Sequence, residues 1–305
     1  MNKQTITVAL GAFVWSIVLG TALAKPSAGG AGAHMQKGIE MAQQKQYDAA
    51  VGEFTKAIEA NPKDPRGYTN RGTAYRASSR LPDAYADFSK AIEVAPKDEV
   101  AYRERGMTAV MQSQFDAALP DFEKAIQLKP DDPFAYKFRG YAEIGLNQWD
   151  KAAADFTTVI QKQPDDAQSY DRRAWANRNL KNYDAAIADY TVLIQKNPND
   201  AEHLVKRGAT YTAMQDYEKA IADYQAALKL KPDDYDTVQR LQYVQSMLAA
   251  KNAPPPPSVT PTPTPKAGLI TPLNVGLGIA VLIVIAVVVR FLTRGRAEET
   301  STRVR

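Results

Sequence analysis

The chain has 305 residues, a formal net charge of +4, two histidines and no cysteine. Without cysteine it has no disulfide framework and no cysteine nucleophile. The two ends together hold eight of the 38 basic and two of the 34 acidic residues, which leaves 30 basic and 32 acidic residues between them. That central part lacks the basic footprint of a nucleic-acid-binding protein, and no nucleic-acid partner is predicted.

The N-terminal segment has the layout of a secretory signal. Residues 1–24 contain Lys3, an apolar run from Ile6 to Leu23, and small residues at Ala22 and Ala24. This order predicts a signal peptide that is cleaved after export. An uncleaved N-terminal anchor is the alternative, because the apolar run is rather long. Residues 25–34 are rich in Gly and Ala and are predicted to be a flexible linker.

Six prolines stand 34 residues apart, and each is followed two residues later by aspartate. Proline ends a helix because it lacks an N–H, and aspartate accepts hydrogen bonds from the free N–H groups of the next helix. A fixed period of this size predicts a repeated supersecondary unit. The prolines are Pro62, Pro96, Pro130, Pro164, Pro198 and Pro232, and the aspartates are Asp64, Asp98, Asp132, Asp166, Asp200 and Asp234.

Small and aromatic residues recur with the same period, and they place two helices in each unit. Small residues allow helices to cross closely, and an aromatic followed by apolar residues three and four positions later forms one helical face. The small rows are Gly38, Gly72, Gly106, Gly140, Ala174 and Gly208, then Ala50, Ala84, Ala118, Ala152, Ala186 and Ala220. The aromatic row is Phe54, Phe88, Phe122, Phe156, Tyr190 and Tyr224.

This pattern resembles the tetratricopeptide repeat, in six units over residues 31–64, 65–98, 99–132, 133–166, 167–200 and 201–234. The resemblance implies an all-α, right-handed superhelical solenoid of antiparallel helix pairs. Within it, residues 35–234 form the repeat array and the first helix of each pair lines a concave groove. Residues 235–252 follow, with Val238, Leu241 and Leu248 on one face, and are predicted to be a capping helix.

A row of basic residues precedes the small row, and an acidic residue follows each basic one after 16 positions. We predict ion pairs across the helix pair, with a structural role, because a catalytic site occurs once whereas these residues recur in every unit. The pairs are Arg71–Asp87, Arg105–Asp121, Arg139–Asp155, Arg173–Asp189 and Arg207–Asp223, and Lys37–Glu53 in the first unit.

The expected groove differs from unit to unit and interleaves basic, aromatic and methionine side chains. Arg suits carboxylates, aromatic side chains make good anchors, and Met adapts to varied partners. We therefore predict a groove for a peptide with acidic and apolar residues. Its candidate residues are Arg66, Thr69, Thr73, Arg76, Arg103, Met107, Phe134, Lys137, Tyr141, Trp175 and Arg178.

The C-terminal part carries the second membrane signal. Residues 253–267 are rich in Pro and Thr and predict an extended spacer. Residues 268–292 are apolar up to Arg290 and predict a separate transmembrane helix, followed by a basic tail at 293–305. By the positive-inside rule the tail is cytoplasmic. We expect a single-pass protein of a bacterial inner membrane with its repeats in the periplasm.

These features predict a non-enzymatic scaffold that binds other proteins or peptides in envelope complex assembly or biogenesis. The alternative is a tail-anchored receptor or co-chaperone on an organelle membrane, with its array facing the cytosol. The two histidines, His34 and His203, lack metal-ligand spacing, and no catalytic motif is present. No metal, cofactor or enzymatic activity is predicted.

Overall fold

The computed structural model describes residues 30–253, which fold into thirteen α-helices without a β-strand. The predicted signal, transmembrane helix and tail lie outside this range, as does the predicted spacer after residue 253. Within it, no helix is long and apolar enough to cross a membrane. The helices are α1 (Ala31–Gln43), α2 (Tyr47–Ala60), α3 (Pro65–Ala77), α4 (Leu81–Val94), α5 (Glu99–Met111), α6 (Phe115–Leu128), α7 (Pro133–Gly145), α8 (Trp149–Lys162), α9 (Ala167–Asn179), α10 (Tyr183–Lys196), α11 (Ala201–Ala213), α12 (Tyr217–Leu230) and α13 (Tyr235–Asn252).

Each predicted Pro-x-Asp boundary falls between two helices. The second helix of every unit ends two residues before the proline, and the next helix begins directly after the aspartate. Four of these aspartates cap the following helix, because their side chains accept a hydrogen bond from the backbone N–H two residues later. They are Asp64, Asp98, Asp132 and Asp200.

The turn inside each helix pair contains one residue in the left-handed conformation, which the sequence did not reveal. It follows the C-cap of the first helix, with φ between 59° and 63°. The turn after α1 is closed by a hydrogen bond from the Gln46 N–H to the Met41 carbonyl. Glycine is the usual residue at this position, yet none of the six is glycine: Lys45, Ser79, Ser113, Asn147, Lys181 and Gln215.

The repeated small and aromatic residues form the core, as their spacing predicts. All six aromatic side chains and all six alanines of the second small row are at most 2% exposed. The rings pack closely on the small row: a Cβ added to Gly72 would lie 3.0 Å from the Phe88 ring, and one added to Gly140 would lie 3.0 Å from the Phe156 ring. This close approach favours a small residue at the position, which is glycine in five units and Ala174 in the fifth.

The units stack in chain order. Each helix packs against the next, and first helices of neighbouring units also touch, as in α1 with α3, α3 with α5, and α5 with α7. Helix α13 packs on α12 and buries Val244, so it covers the last unit. The predicted helical solenoid with its capping helix is therefore present. We call the surface formed by α1, α3, α5, α7, α9 and α11 the first-helix surface.

One boundary of the sequence prediction needs correction. Helix α1 begins at Ala31, so residues 31–34 belong to the first repeat and not to the flexible linker. Alanine favours helix strongly, and His34 Nδ1 lies 2.7 Å from Glu53 Oε2, which attaches the start of α1 to α2.

Candidate interaction surface

The structure brings together all five predicted Arg–Asp pairs in the same two-pronged geometry. In each, Nε donates to Oδ2 at 2.7–2.9 Å and Nη2 donates to Oδ1 at 2.6–2.8 Å. The aspartates are at most 6% exposed, and the arginine side chains are 18–23% exposed. Such partly buried pairs fix the geometry of a helix pair.

Four of these five arginines also link neighbouring units. Arg71 Nη1 donates to the Thr55 hydroxyl at 3.0 Å, and Arg207 Nη1 donates to the Thr191 hydroxyl at 3.0 Å. Arg105 and Arg173 contact Ser89 and Thr157 in the same way. Each hydroxyl lies 16 residues before its arginine, on the second helix of the preceding unit. The ion pairs therefore hold a unit together and attach it to the unit before.

The first unit uses a different set of partners for its acidic residue. Lys37, Lys56 and His34 all contact the Glu53 carboxylate, at 3.2, 3.0 and 2.7 Å. Hydrogen bonds from His34 and then Lys56 lower the pKa of Glu53 to about 2. The pair predicted from Lys37 is thus one part of a four-residue cluster.

Four of the five basic residues predicted for the groove are neutralised by carboxylates. Arg66 pairs with the cap residue Asp64 of its own helix. The other three pair with carboxylates that the spacing of the repeat did not indicate. Arg76 pairs with Glu104 of the next unit. Arg103 pairs with Glu104 and Asp132, and Lys137 with Asp166, where Asp132 and Asp166 directly precede the first helix of the next unit. From α3 to α7, the predicted basic residues of the groove are therefore neutralised by carboxylates within the array.

Burial removes three of the predicted residues from the accessible surface. Arg76 is 5% exposed, Lys137 is 6% exposed and Tyr141 is 4% exposed. The Tyr141 ring packs edge-on against Phe156 at 5.5 Å, and burial raises the pKa of its hydroxyl to about 12. We therefore exclude these three residues from the surface proposed below.

The remaining predicted residues lie at the surface to different extents. Phe134 is 44% exposed. Met107 and Trp175 pack partly against the central core, where Trp175 meets Trp149 edge-on at 5.1 Å. The hydroxyls of Thr69 and Thr73 donate to carbonyls four residues earlier, those of Pro65 and Thr69.

A cavity of about 250 Å³ opens where α9, α11 and α13 come together at the C-terminal end of the array. We call it the end pocket. Of the predicted groove residues only Arg178 lines it. The other lining residues are Ala209, Thr212, Ala213, Tyr224, Arg240, Tyr243 and Val244.

The end pocket lies beside a position where the sixth unit has a small side chain. At the position where three earlier units carry Met107, Tyr141 and Trp175, the sixth unit carries Ala209. This change in the row was the signal in the sequence that could have located the pocket. Arg240 and Tyr243 were missed because α13 lies beyond the last repeat.

A buried acidic cluster occurs in the fourth unit only. Glu143 is 5% exposed and lies close enough to Asp155, the partner of Arg139, for the two carboxyl groups to interact. Burial, followed by the charge of Asp155, raises the pKa of Glu143 to about 8. Within residues 30–253 no group of three or more His, Asp or Glu side chains is arranged to hold a metal ion.

Comparison with protein families matches tetratricopeptide repeat models over most of the array. One model matches residues 35–99, 69–133 and 138–201, and a second matches residues 201–234. Together these ranges cover more than half of the chain.

Curated relatives match over short stretches. Hsp70-Hsp90 organizing protein 2 of Arabidopsis thaliana is 40% identical over 48 residues, which is 16% of this chain and 8% of that protein. Tetratricopeptide repeat protein 36 of Caenorhabditis elegans is 40% identical over 45 residues, which is 15% of this chain and 25% of that protein. The chain thus spans a quarter or less of the length of these relatives.

Solved structures match the fold over a longer range. YrrB, described as a TPR protein with an unusual peptide-binding site, aligns with a TM-score of 0.57 at 23% identity, over 62% of this chain and 97% of its own. PilF of Pseudomonas aeruginosa aligns with a TM-score of 0.58 at 16% identity, over 71% of this chain and 97% of its own. At these identities the similarity shows the shared fold.

Proposed function

The chain belongs to the tetratricopeptide repeat family, and from that premise we propose that it is an exported, membrane-tethered scaffold that binds partner polypeptides on its first-helix surface. Tetratricopeptide repeat proteins generally act as scaffolds for protein interactions, without enzymatic activity of their own. The observation that carries the proposal is the contrast between the repeated and the varied positions. The core and the Arg–Asp pairs recur in unit after unit, whereas the exposed first-helix side chains differ.

The repeated contacts suit a rigid support. Ion pairs, shared hydroxyl contacts and ring-on-glycine packing hold each unit in register with the next. A surface held in this way loses little conformational entropy on binding, which favours affinity. The varied residues Phe134, Trp175 and Arg178 then provide the apolar and cationic contacts for a partner.

Membrane tethering and export are proposed from the sequence. The apolar segments at 1–24 and 268–292, with arginines after the second, favour a periplasmic array joined to an inner membrane by the Pro/Thr-rich spacer. A tether of this kind raises the effective concentration of the array for partners near the membrane. Assembly or biogenesis of an envelope complex is the process that we propose.

A pair of matched substitutions tests the binding surface. Phe134 on first helix α7 is 44% exposed, and Leu230 at the end of second helix α12 is 39% exposed. We expect Phe134→Glu to reduce co-purification of partner proteins with the tagged full chain, and Leu230→Glu to leave it unchanged. Equal recovery with both variants, at equal thermal stability, would contradict the proposed surface.

Protease accessibility tests the topology. In spheroplasts with an intact inner membrane, externally added protease should degrade the array and leave a small C-terminal membrane fragment. Protection of the array until the membrane is permeabilised would favour the cytosol-facing alternative.

A further inference from the structure

We propose that the end pocket binds the carboxylate of an aspartate or glutamate side chain within an acidic and apolar segment of a partner polypeptide. This inference rests on the proposed scaffold function and assigns it a specific site. It commits to a side-chain carboxylate, as distinct from a peptide C-terminus or a phosphate group.

The two guanidinium groups of the pocket are the first argument. Arg178 comes from α9 and Arg240 from α13, and both line the same cavity. Among residues 30–253 neither makes an ion pair or a hydrogen bond, whereas Arg76, Arg103 and Lys137 of the earlier units are all paired. Two unneutralised guanidinium groups at one cavity favour an anion, and the fork of Arg matches a carboxylate.

The rest of the lining favours an apolar neighbour beside that anion. Ala209, Ala213 and Val244 contribute aliphatic surface, and Tyr243 is 57% exposed. The Thr212 hydroxyl already contacts the Gly208 carbonyl at 2.9 Å and the Tyr224 hydroxyl at 3.3 Å. The lining is therefore complementary to a segment that alternates acidic and apolar side chains.

The small side chain at Ala209 is the second argument. In the two preceding units the same position holds Tyr141 and Trp175, which pack against the central core. With Ala209 at this position in the sixth unit, a volume of about 250 Å³ is left between the helices. That volume is sufficient for a side chain from a partner, and it lies beside the two guanidinium groups that make no ion pair within the described part of the chain.

The experiment first selects peptides that bind the chain and then measures their binding to variants of the pocket. The full chain in detergent micelles is used to select from a phage-displayed library of random linear dodecapeptides. The enriched peptides are synthesised with acetylated and amidated ends, which removes the terminal carboxylate, and their dissociation constants are measured. We expect enrichment in Asp and Glu next to apolar residues, and affinity that falls as salt rises.

Three variants of the chain locate the binding. Arg178→Gln with Arg240→Gln should weaken binding about ten- to a hundredfold, as expected for losing hydrogen bonds between charged groups. Lys63→Gln with Lys97→Gln removes the same charge at exposed loop positions and should leave affinity unchanged. Ala209→Trp keeps both arginines and fills the cavity with the side chain that the fifth unit has at this position. This variant should abolish binding.

Each outcome supports or overturns the proposal that the end pocket binds a carboxylate. Equal affinity of wild type and Arg178→Gln/Arg240→Gln for the peptides overturns the proposal, and so does full affinity in Ala209→Trp. Two results with the peptides also overturn it: full affinity after Gln replaces Glu, and binding that requires a free C-terminus. In these cases the peptides bind elsewhere on the array, and the scaffold function stands. Failure to enrich any peptide contradicts both the pocket and the scaffold function.

Discussion

The guanidinium of Arg105 holds both oxygens of the Asp121 carboxylate, with Nε 2.8 Å from Oδ2 and Nη2 2.7 Å from Oδ1. Asp121 is 4% exposed, and the third nitrogen of Arg105 reaches the Ser89 hydroxyl of the preceding unit at 3.2 Å. One side chain thus joins the two helices of a unit and also two units. The same arrangement recurs along the array, so its energetic role can be measured at one position.

We predict that Asp121→Ala lowers the free energy of unfolding by about 3 kcal/mol, because it leaves a partly buried guanidinium without its partner. Urea denaturation measures the change. Asp131→Ala is the matched control, since Asp131 is 94% exposed where it pairs with Lys162 and exposed pairs contribute little. If the two variants unfold at the same urea concentration, the Arg–Asp pairs do not stabilise the array.

The stability of the array should depend on the protonation of Glu143. Its folded pKa of about 8 lies above the ordinary value of 4.5, so the folded state binds the proton more tightly than the unfolded state does. Stability from this group is complete below pH 4.5 and is lost as the pH rises through 8. Glu143→Gln mimics the neutral form, so its melting temperature should exceed that of wild type at pH 8 and approach it at pH 5.

The exposed Glu218→Gln provides the control for this pH series. It removes one acidic group of the same kind from the surface, and its melting temperature should follow that of wild type at every pH. A Glu143→Gln curve parallel to the wild-type curve between pH 5 and 8 would show that Glu143 is ionised in the folded protein.

Two glycines should respond in opposite directions to alanine. A Cβ at Gly145 would lie 2.6 Å from the Phe115 ring, so Gly145→Ala should destabilise the array by about 1–3 kcal/mol through overpacking. A Cβ at Gly52 would meet nothing within 4 Å, so Gly52→Ala should stabilise α2 by about 0.5–1 kcal/mol. Thermal melting of both variants checks the prediction, and a stabilising Gly145→Ala would show that α6 and α7 are packed less closely.

The left-handed turn residues offer a stabilising substitution. Ser113 has φ of 60°, which is strained for a residue with a Cβ, so Ser113→Gly should raise stability by about 0.5–1 kcal/mol. Asn147 has φ of 59°, but asparagine tolerates this conformation, so Asn147→Gly should gain less. Chemical denaturation of the two variants gives the comparison, and the reverse order would contradict the assigned turn geometry.

The features that recur every 34 residues could be predicted from the sequence. Pro62 with Asp64, and Gly72 with Phe88, take part in contacts within one unit or one turn, so a fixed spacing identifies them. The pairing of Lys137 with Asp166 depends on how the helix that begins at Ala167 packs against α7, and the spacing within a unit does not indicate that register. For the same reason the groove prediction included residues that the structure buries or pairs.

The end pocket could not be predicted from the repeat pattern, for a related reason. It depends on Ala209, where the row of large residues stops, and on Arg240 and Tyr243 in a helix that has no repeat unit of its own. The positions that we propose to bind a partner depart from the periodic pattern, so a search for periodicity does not find them.

Photo-crosslinking in the living source cell tests the central claim most directly. A benzophenone amino acid replaces Tyr243 in the end pocket or, in a second strain, Leu230 on second helix α12, and adducts are quantified by mass spectrometry. We predict that irradiation joins another polypeptide to position 243 and leaves position 230 largely unmodified. Equal adducts from both positions, or adducts from position 230 alone, would contradict capture of a partner on the first-helix surface and its end pocket.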